Sequence, residues 1–102
     1  MRDSELFDYL ENAIAQLQFP HLILKKKEIT GKGFSMLEYK FREGKIYFVI
    51  DRSYIEGEIV KNENFTSFSK FDPKLTNLKK STANIDKIID FLYNHRDEIF
   101  RE

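Results

Sequence analysis

Three groups of residues in this chain have types and spacings that chemistry can use. Glu38-Tyr39-Lys40 is an E-x-K on a strand, with Glu28 on the strand before it. Side chains alternate along a strand, so Glu38 and Lys40 share a face. Two acidic side chains placed this way can hold Mg²⁺ while the lysine orients an attacking water. Asp51, Glu56 and Glu58 cluster after the central strand, and Glu56 and Glu58 flank Gly57 on one strand face. Acid–base work by a carboxylate pair needs one member buried so that its pKa rises. A stretch this rich in charge reads instead as an exposed acidic face. Tyr39, Lys40, Phe41, Arg42, Lys45 and Tyr47 interleave rings with bases across one hairpin, the style in which single-stranded nucleic acid is bound. Alternation sets Tyr39 and Phe41 opposite Lys40 and Arg42, so the rings are expected to face the core and the bases solvent.

Glu28, Glu38 and Lys40 together resemble the core motif of the PD-(D/E)xK nucleases, and the resemblance implies a Mg²⁺-dependent nuclease-like domain. It covers these three residues. Glu28 stands where that superfamily normally has Asp, and the element after the motif reads as a strand where that fold has a helix. His95-Arg96-Asp97 shares its letters with the kinase catalytic-loop triplet, but it falls in a helical pattern with no glycine-rich loop elsewhere. His95 is expected to be a solvated histidine near a helix C-terminus, where the dipole favours it. His21 precedes the first strand alone, and two histidines so far apart lack the spacing of a metal site. The chain has no cysteine, which excludes a thiolate metal site and a Cys nucleophile. No phosphate-binding glycine loop and no G-x-S-x-G elbow is present. No cofactor is implied.

The elements that would position these residues follow from periodicity. Residues 3–19 read as a helix, capped by Asp3 or Ser4, with Leu6, Leu10, Ala13, Ile14 and Leu17 as its apolar stripe and Pro20 as its stop. Residues 21–30 read as a strand whose Lys25-Lys26-Lys27 run suits an exposed edge. A Gly31-Lys32-Gly33 turn leads to a strand over 34–42, and Glu43-Gly44 to a third over 45–51. Ile46-Tyr47-Phe48-Val49-Ile50 is apolar on both faces, which predicts a central strand covered on part of its second side. A fourth strand spans 54–60, where Gly57 marks a bulge or a close backbone approach. A short fifth strand spans 65–69. Residues 70–80 form a basic loop in which Pro73 starts a helical turn and Leu75 and Leu78 reach the core. Ser81 or Thr82 caps a helix running to about Phe100, with Ile85, Ile88, Ile89, Leu92, Ile99 and Phe100 as its stripe. Short connections imply an antiparallel meander. The fold class is α+β: a two-layer sandwich, α-β-β-β-β-(β)-α, with the four- to five-stranded sheet covered on one face by both terminal helices. The 102 residues make a single domain.

Charge narrows the function. Lys+Arg and Asp+Glu are 17 each, which argues against binding nucleic acid by bulk charge. The charge is segregated, however: residues 1–20 carry −3, 25–45 carry +4, 51–63 carry −2, 70–80 carry +3 and 86–102 carry −2. The N-terminal stretch has no apolar signal-peptide core, the longest apolar run (Ile46 to Ile50) is far too short to span a bilayer, and thiols are absent. These features predict a cytoplasmic protein with no membrane association. Without a competent catalytic set, the chain is expected to be a small non-enzymatic binding or inhibitor protein, such as a bacterial immunity protein that neutralises a toxin domain, acting as monomer or homodimer. The expected partner-binding residues are the acidic Asp51, Glu56, Glu58 and Glu63 and the basic Lys25, Lys27, Lys40 and Arg42. Acidic side chains of this kind suit the phosphate-binding cleft of a nuclease toxin. The alternatives are a nucleic-acid binder, the Mg²⁺-dependent nuclease, and a secretion or assembly chaperone with an exposed apolar groove.

Overall fold

A computed structural model describes residues 1–19 and 22–101. Pro20 as a helix stop and His21 as an isolated histidine lie outside the described residues. Helix α1 spans Asp3–Leu17 and buries Leu6, Phe7, Leu10 and Ile14. Arg2, not Asp3 or Ser4, is the extended residue at its start, and the Arg2 backbone N–H donates to Glu5 Oε1 at 3.2 Å. Asp3 is inside the first turn, where its carboxylate turns inward instead of capping. Gln18, in the left-handed region (φ 50), ends the helix.

Five strands follow: β1 (Ile23–Ile29), β2 (Phe34–Phe41), β3 (Gly44–Asp51), β4 (Tyr54–Lys61) and β5 (Asn64–Ser67). They form one antiparallel meander in sequence order. Connections of four residues between β1 and β2 and of two between the later strands allow only hairpin neighbours, so the order is dictated by loop length. One side of the sheet points at the helices through Leu37, Tyr39 and Phe41, Ile46, Phe48 and Ile50, and Ile55 and Ile59, all buried. Gly57 sits in this inward row, paired with Phe48. It marks a close approach, as expected: the ring of Phe68 lies directly against its Cα. Phe68 opens a short helix, α2 (Phe68–Phe71), which the sequence pattern does not announce. The loop beyond it is pinned by a 3-10 turn at Pro73–Leu75, by buried Leu75 and Leu78, and by Ile55 N–H donating to Leu78 O at 2.8 Å.

The C-terminal helix starts as expected, with Ser81 Oγ accepting from Asn84 N–H at 3.1 Å. It does not run unbroken to Phe100. It divides at His95 into α3 (Thr82–Asn94) and α4 (Arg96–Phe100). Arg96 Nη1 takes the Tyr93 carbonyl at 2.6 Å, and its guanidinium lies 4.2 Å from the Tyr93 ring centroid. A side chain thus bonds a carbonyl of the last turn, one of the groups a helix end leaves for outside donors. His95 sits at the C-terminus of α3 as expected but is only partly solvated. Its ring packs 4.9 Å from Phe91 and 6.1 Å from Phe71, with Nδ1 3.0 Å from Glu98 Oε1. Both terminal helical segments cover the same sheet face. Ile85, Ile88, Ile89, Leu92 and Ile99 are buried there, and Tyr9 of α1 donates to Asp86 of α3 at 2.7 Å.

Candidate functional site

With both helices on one side, the other side of the sheet has no layer over it among the described residues. Cross-strand register arranges its side chains in rows. Ile23, Lys40, Lys45, Val60 and Phe65 form the row at the β2–β3 turn; Lys26, Glu38, Tyr47, Glu58 and Ser67 the next; Glu28, Met36, Val49 and Glu56 the third; and Phe34, Asp51 and Tyr54 the last. The cover expected over β3 is therefore not a second layer. Tyr47 and Val49 are half-buried because neighbouring side chains of the same face lean on them. Phe34, Tyr54 and Phe65 stay exposed, Phe65 to 64 %. Phe34 and Tyr54 stand at one end of the face and Phe65 at the other, with the half-buried Met36, Tyr47, Val49 and Val60 in the rows between and beside them; exposed apolar groups gathered on one face mark interaction sites more often than stray ones do.

The expected acidic residues divide by position. Glu56 and Glu58 come together in a groove of about 280 Å³ lined by Tyr47, Val49, Gly57, Phe65 and Ser67. Asp51 stands at the β3–β4 end of the face, paired across strands with Phe34 and Tyr54. Glu63 is in the β4–β5 turn at the opposite end, with φ 66. None of the four makes an ion pair among the described residues. Met36, Val49, Phe65 and Ser67 are residues that sequence reasoning left out of the site. For Met36 and Val49 the signal is apolar content in the outward phase of strands whose inward phase is already apolar; Phe65 and Ser67 carry no such signal, because the inward phase of β5 is Asn64 and Thr66.

The basic residues divide as well. Lys25, Lys40 and Arg42 line a second groove, of about 400 Å³, with Ile23 and Phe41. Lys27 is on the other side of the sheet. The register of β1 shifts between Leu24 and Lys26, so one extra residue turns every later side chain over. Lys27 thereby reaches α1, where its Nζ is 2.9 Å from Asp8 Oδ1 and 2.7 Å from Glu11 Oε2. The Glu11 and Asp8 hydrogen bonds raise its pKa, against a smaller opposing effect of burial. Tyr39 and Phe41 face the core at 5 % and 2 % exposure, so of the three rings interleaved with bases in the hairpin Tyr47 alone shares the open face with Lys40 and Lys45. Burial, helped by the charge of Glu11, pushes the Tyr39 phenol up to about 12.

Glu28, Glu38 and Lys40 all lie on the open face, but in three different rows. Lys26 Nζ is 3.1 Å from Glu28, and Lys45 Nζ is 3.8 Å from Glu38. Among the described residues, no three His, Asp or Glu side chains gather closely enough to hold a metal ion. One polar cluster was not legible from sequence. Ser35, fully buried, donates to Asp3 Oδ2 at 2.8 Å, and Lys80 Nζ donates to Asp3 Oδ1 at 2.9 Å. Burial alone would raise the Asp3 pKa, but the Lys80 and Ser35 hydrogen bonds and the Lys80 charge outweigh it and leave it lowered. The cluster ties α1 to β2 and to the loop before α3. No helix among the described residues is long and apolar enough to cross a membrane. Comparison with protein-family models, with curated proteins and with solved structures finds no match for this chain.

Proposed function

We propose that this protein acts by binding another protein through the open face of its sheet, as a non-enzymatic inhibitor of the kind that neutralises a toxin domain in the bacterial cytoplasm. The observation that carries this reading is the outward-facing set Met36, Tyr47, Val49, Val60 and Phe65, surface that the chain's own helices leave uncovered. Aromatic and Met side chains on a rigid strand platform supply contact area with little conformational freedom to lose, and such residues are enriched at interface centres. The charged residues around them set orientation and approach. Asp51, Glu56 and Glu58 carry three negative charges on one half of the face, with no ion pair among the described residues. A partner with a basic cleft, such as a nuclease toxin, would meet them in a fast, salt-sensitive association.

The reading is tested by co-expressing the chain with each neighbouring gene product of its native genome that arrests growth when expressed alone. Restored growth that is lost in a Tyr47→Ser/Phe65→Ser variant, with the circular dichroism of the variant unchanged, is the expected result. Cleavage of DNA or RNA by the isolated protein with Mg²⁺, abolished by Glu38→Gln and Lys40→Ala, would replace inhibition by nuclease activity.

A further inference from the structure

The groove on β3, β4 and β5 specifies more than a generic contact. Its walls are two rings, Tyr47 and Phe65, with Val49 between the strands' ends, and its polar groups are the carboxylates of Glu56 and Glu58 and the Ser67 hydroxyl. Glu58 is the direct cross-strand neighbour of both Tyr47 and Ser67, and Glu56 that of Val49. Each carboxylate thus stands beside apolar surface, and no lysine or arginine of the described chain pairs with either one. The contrast within the same face is informative. Glu28 and Glu38, on β1 and β2, both have a lysine within 4 Å, at 3.1 and 3.8 Å. Among the described residues the β4 carboxylates, like Asp51 at the end of the face, have no such lysine, and they are the ones that stand in the groove.

Resting on the reading that the open face is the interface, we infer that this groove seats a basic segment of the partner protein, with arginine or lysine stems lying over Tyr47 and Phe65 and their charged heads against Glu56 and Glu58. The chemistry fits the long basic side chains. Their methylene stems cover apolar surface while the head seeks a polar partner, and a guanidinium gains from an aromatic face as well as from a carboxylate. A short acidic side chain would meet two like charges, and a purely apolar one would leave both carboxylates partly desolvated without partners.

The full chain is titrated with three fluorescein-labelled peptides that share an alternating leucine framework and carry arginine, serine or glutamate at the other positions. Binding is followed by polarisation and by ¹H–¹⁵N shifts. The arginine peptide is expected to bind best, to shift residues 47, 49, 56, 58 and 65, and to lose affinity as salt is raised. Glu56→Gln/Glu58→Gln should weaken it by about tenfold, since two exposed ion pairs are removed. Asp90→Asn/Asp97→Asn, which removes the same charge from the helical side, should leave it unchanged. Phe65→Ser should weaken it without affecting the fold, because Phe65 is largely exposed. Equal loss in the two charge variants, or arginine-peptide shifts confined to the helices, would overturn the inference. If the serine peptide binds the same residues as tightly as the arginine peptide, the cation chemistry is wrong while the open-face reading survives. If no peptide perturbs the face, both fail.

Discussion

Gly57→Ala separates two physical effects that have opposite signs. A glycine inside a strand normally destabilises it by about 0.5–1 kcal/mol relative to alanine, through lost backbone entropy. On that ground alone the substitution would stabilise the protein. The tertiary structure reverses the expectation. A methyl on Gly57 would point inward at the Phe68 ring, meeting Cε2 and Cζ well inside van der Waals contact and Cδ2 at 2.6 Å. Phe68 cannot simply swing away. It is 2 % exposed and is held between Phe48, 5.8 Å away by ring centroids, and Phe91, at 5.1 Å. Overpacking of this kind costs about 1–3 kcal/mol, and evicting the ring altogether sets an upper limit of about 3–5 kcal/mol. Net of the entropy gain, a loss of about 1–2 kcal/mol is expected. That corresponds to a fall in Tm of roughly 5–15 °C, at about 4–8 °C per kcal/mol for a domain of this size. Urea unfolding followed by far-UV circular dichroism measures it. Phe68→Leu makes room for the methyl, so the double variant should be less destabilised than the sum of the singles by about 0.5 kcal/mol or more. A neutral or stabilising Gly57→Ala, or strict additivity with Phe68→Leu, would show that the two residues do not touch as described.

Three further outcomes test the polar framework. Asp3→Ala should cost about 1–3 kcal/mol at neutral pH, because it strands the buried Ser35 hydroxyl and leaves Lys80 without its partner. The Asp3 pKa is lowered in the folded state, so its contribution is complete above the unfolded value of about 3.9 and disappears as pH falls through the folded value; Asp3→Asn should therefore approach the parent in stability at low pH, as read from urea midpoints across pH. Lys27→Met should cost about 1 kcal/mol or less, given the exposure of its pairs with Asp8 and Glu11, with a difference that shrinks in high salt. The Lys27 pKa is raised, so this contribution is present below about 10.4 and lost as pH rises through the folded value. Absorbance titration at the tyrosinate band should show the Tyr39 component near 12, disappearing in Tyr39→Phe; a Tyr39 component titrating near 10 would mean that its ring is not buried against the helices.

Much of the architecture is legible in the chain because it rests on local rules. The alternation of Leu37, Tyr39 and Phe41 against Glu38, Lys40 and Arg42 assigns faces to β2 without further information, and the structure buries the first set. Ser81 followed by the Ile85, Ile88, Ile89 and Leu92 stripe announces α3, and connections of two to four residues announce the meander. The break at His95 was not legible, because it depends on Arg96 reaching the Tyr93 carbonyl and ring. The site was half legible. Glu56 and Glu58 could be placed together from their spacing, but Phe65 could be placed beside them only through its register against Val60.

What the residues determine alone is therefore the five strands and the two terminal helices, their order, and the apolar side of β2 and β4, since period and turn chemistry act over a few residues; α2, the break at His95 and the bulge in β1 came from packing. Where the charge blocks end up depends on chain segments far apart in sequence. Residues 1–20 carry a net −3, yet Asp8 and Glu11 hold Lys27 and Asp3 holds Lys80. The single extra residue at Lys25 sent Lys27 to the helix side and kept Lys26 on the open one. Packing both helices on one face left the β4 carboxylates without an ion-pair partner among the described residues. Long-range pairing, register and packing decide which charges remain for something else to bind.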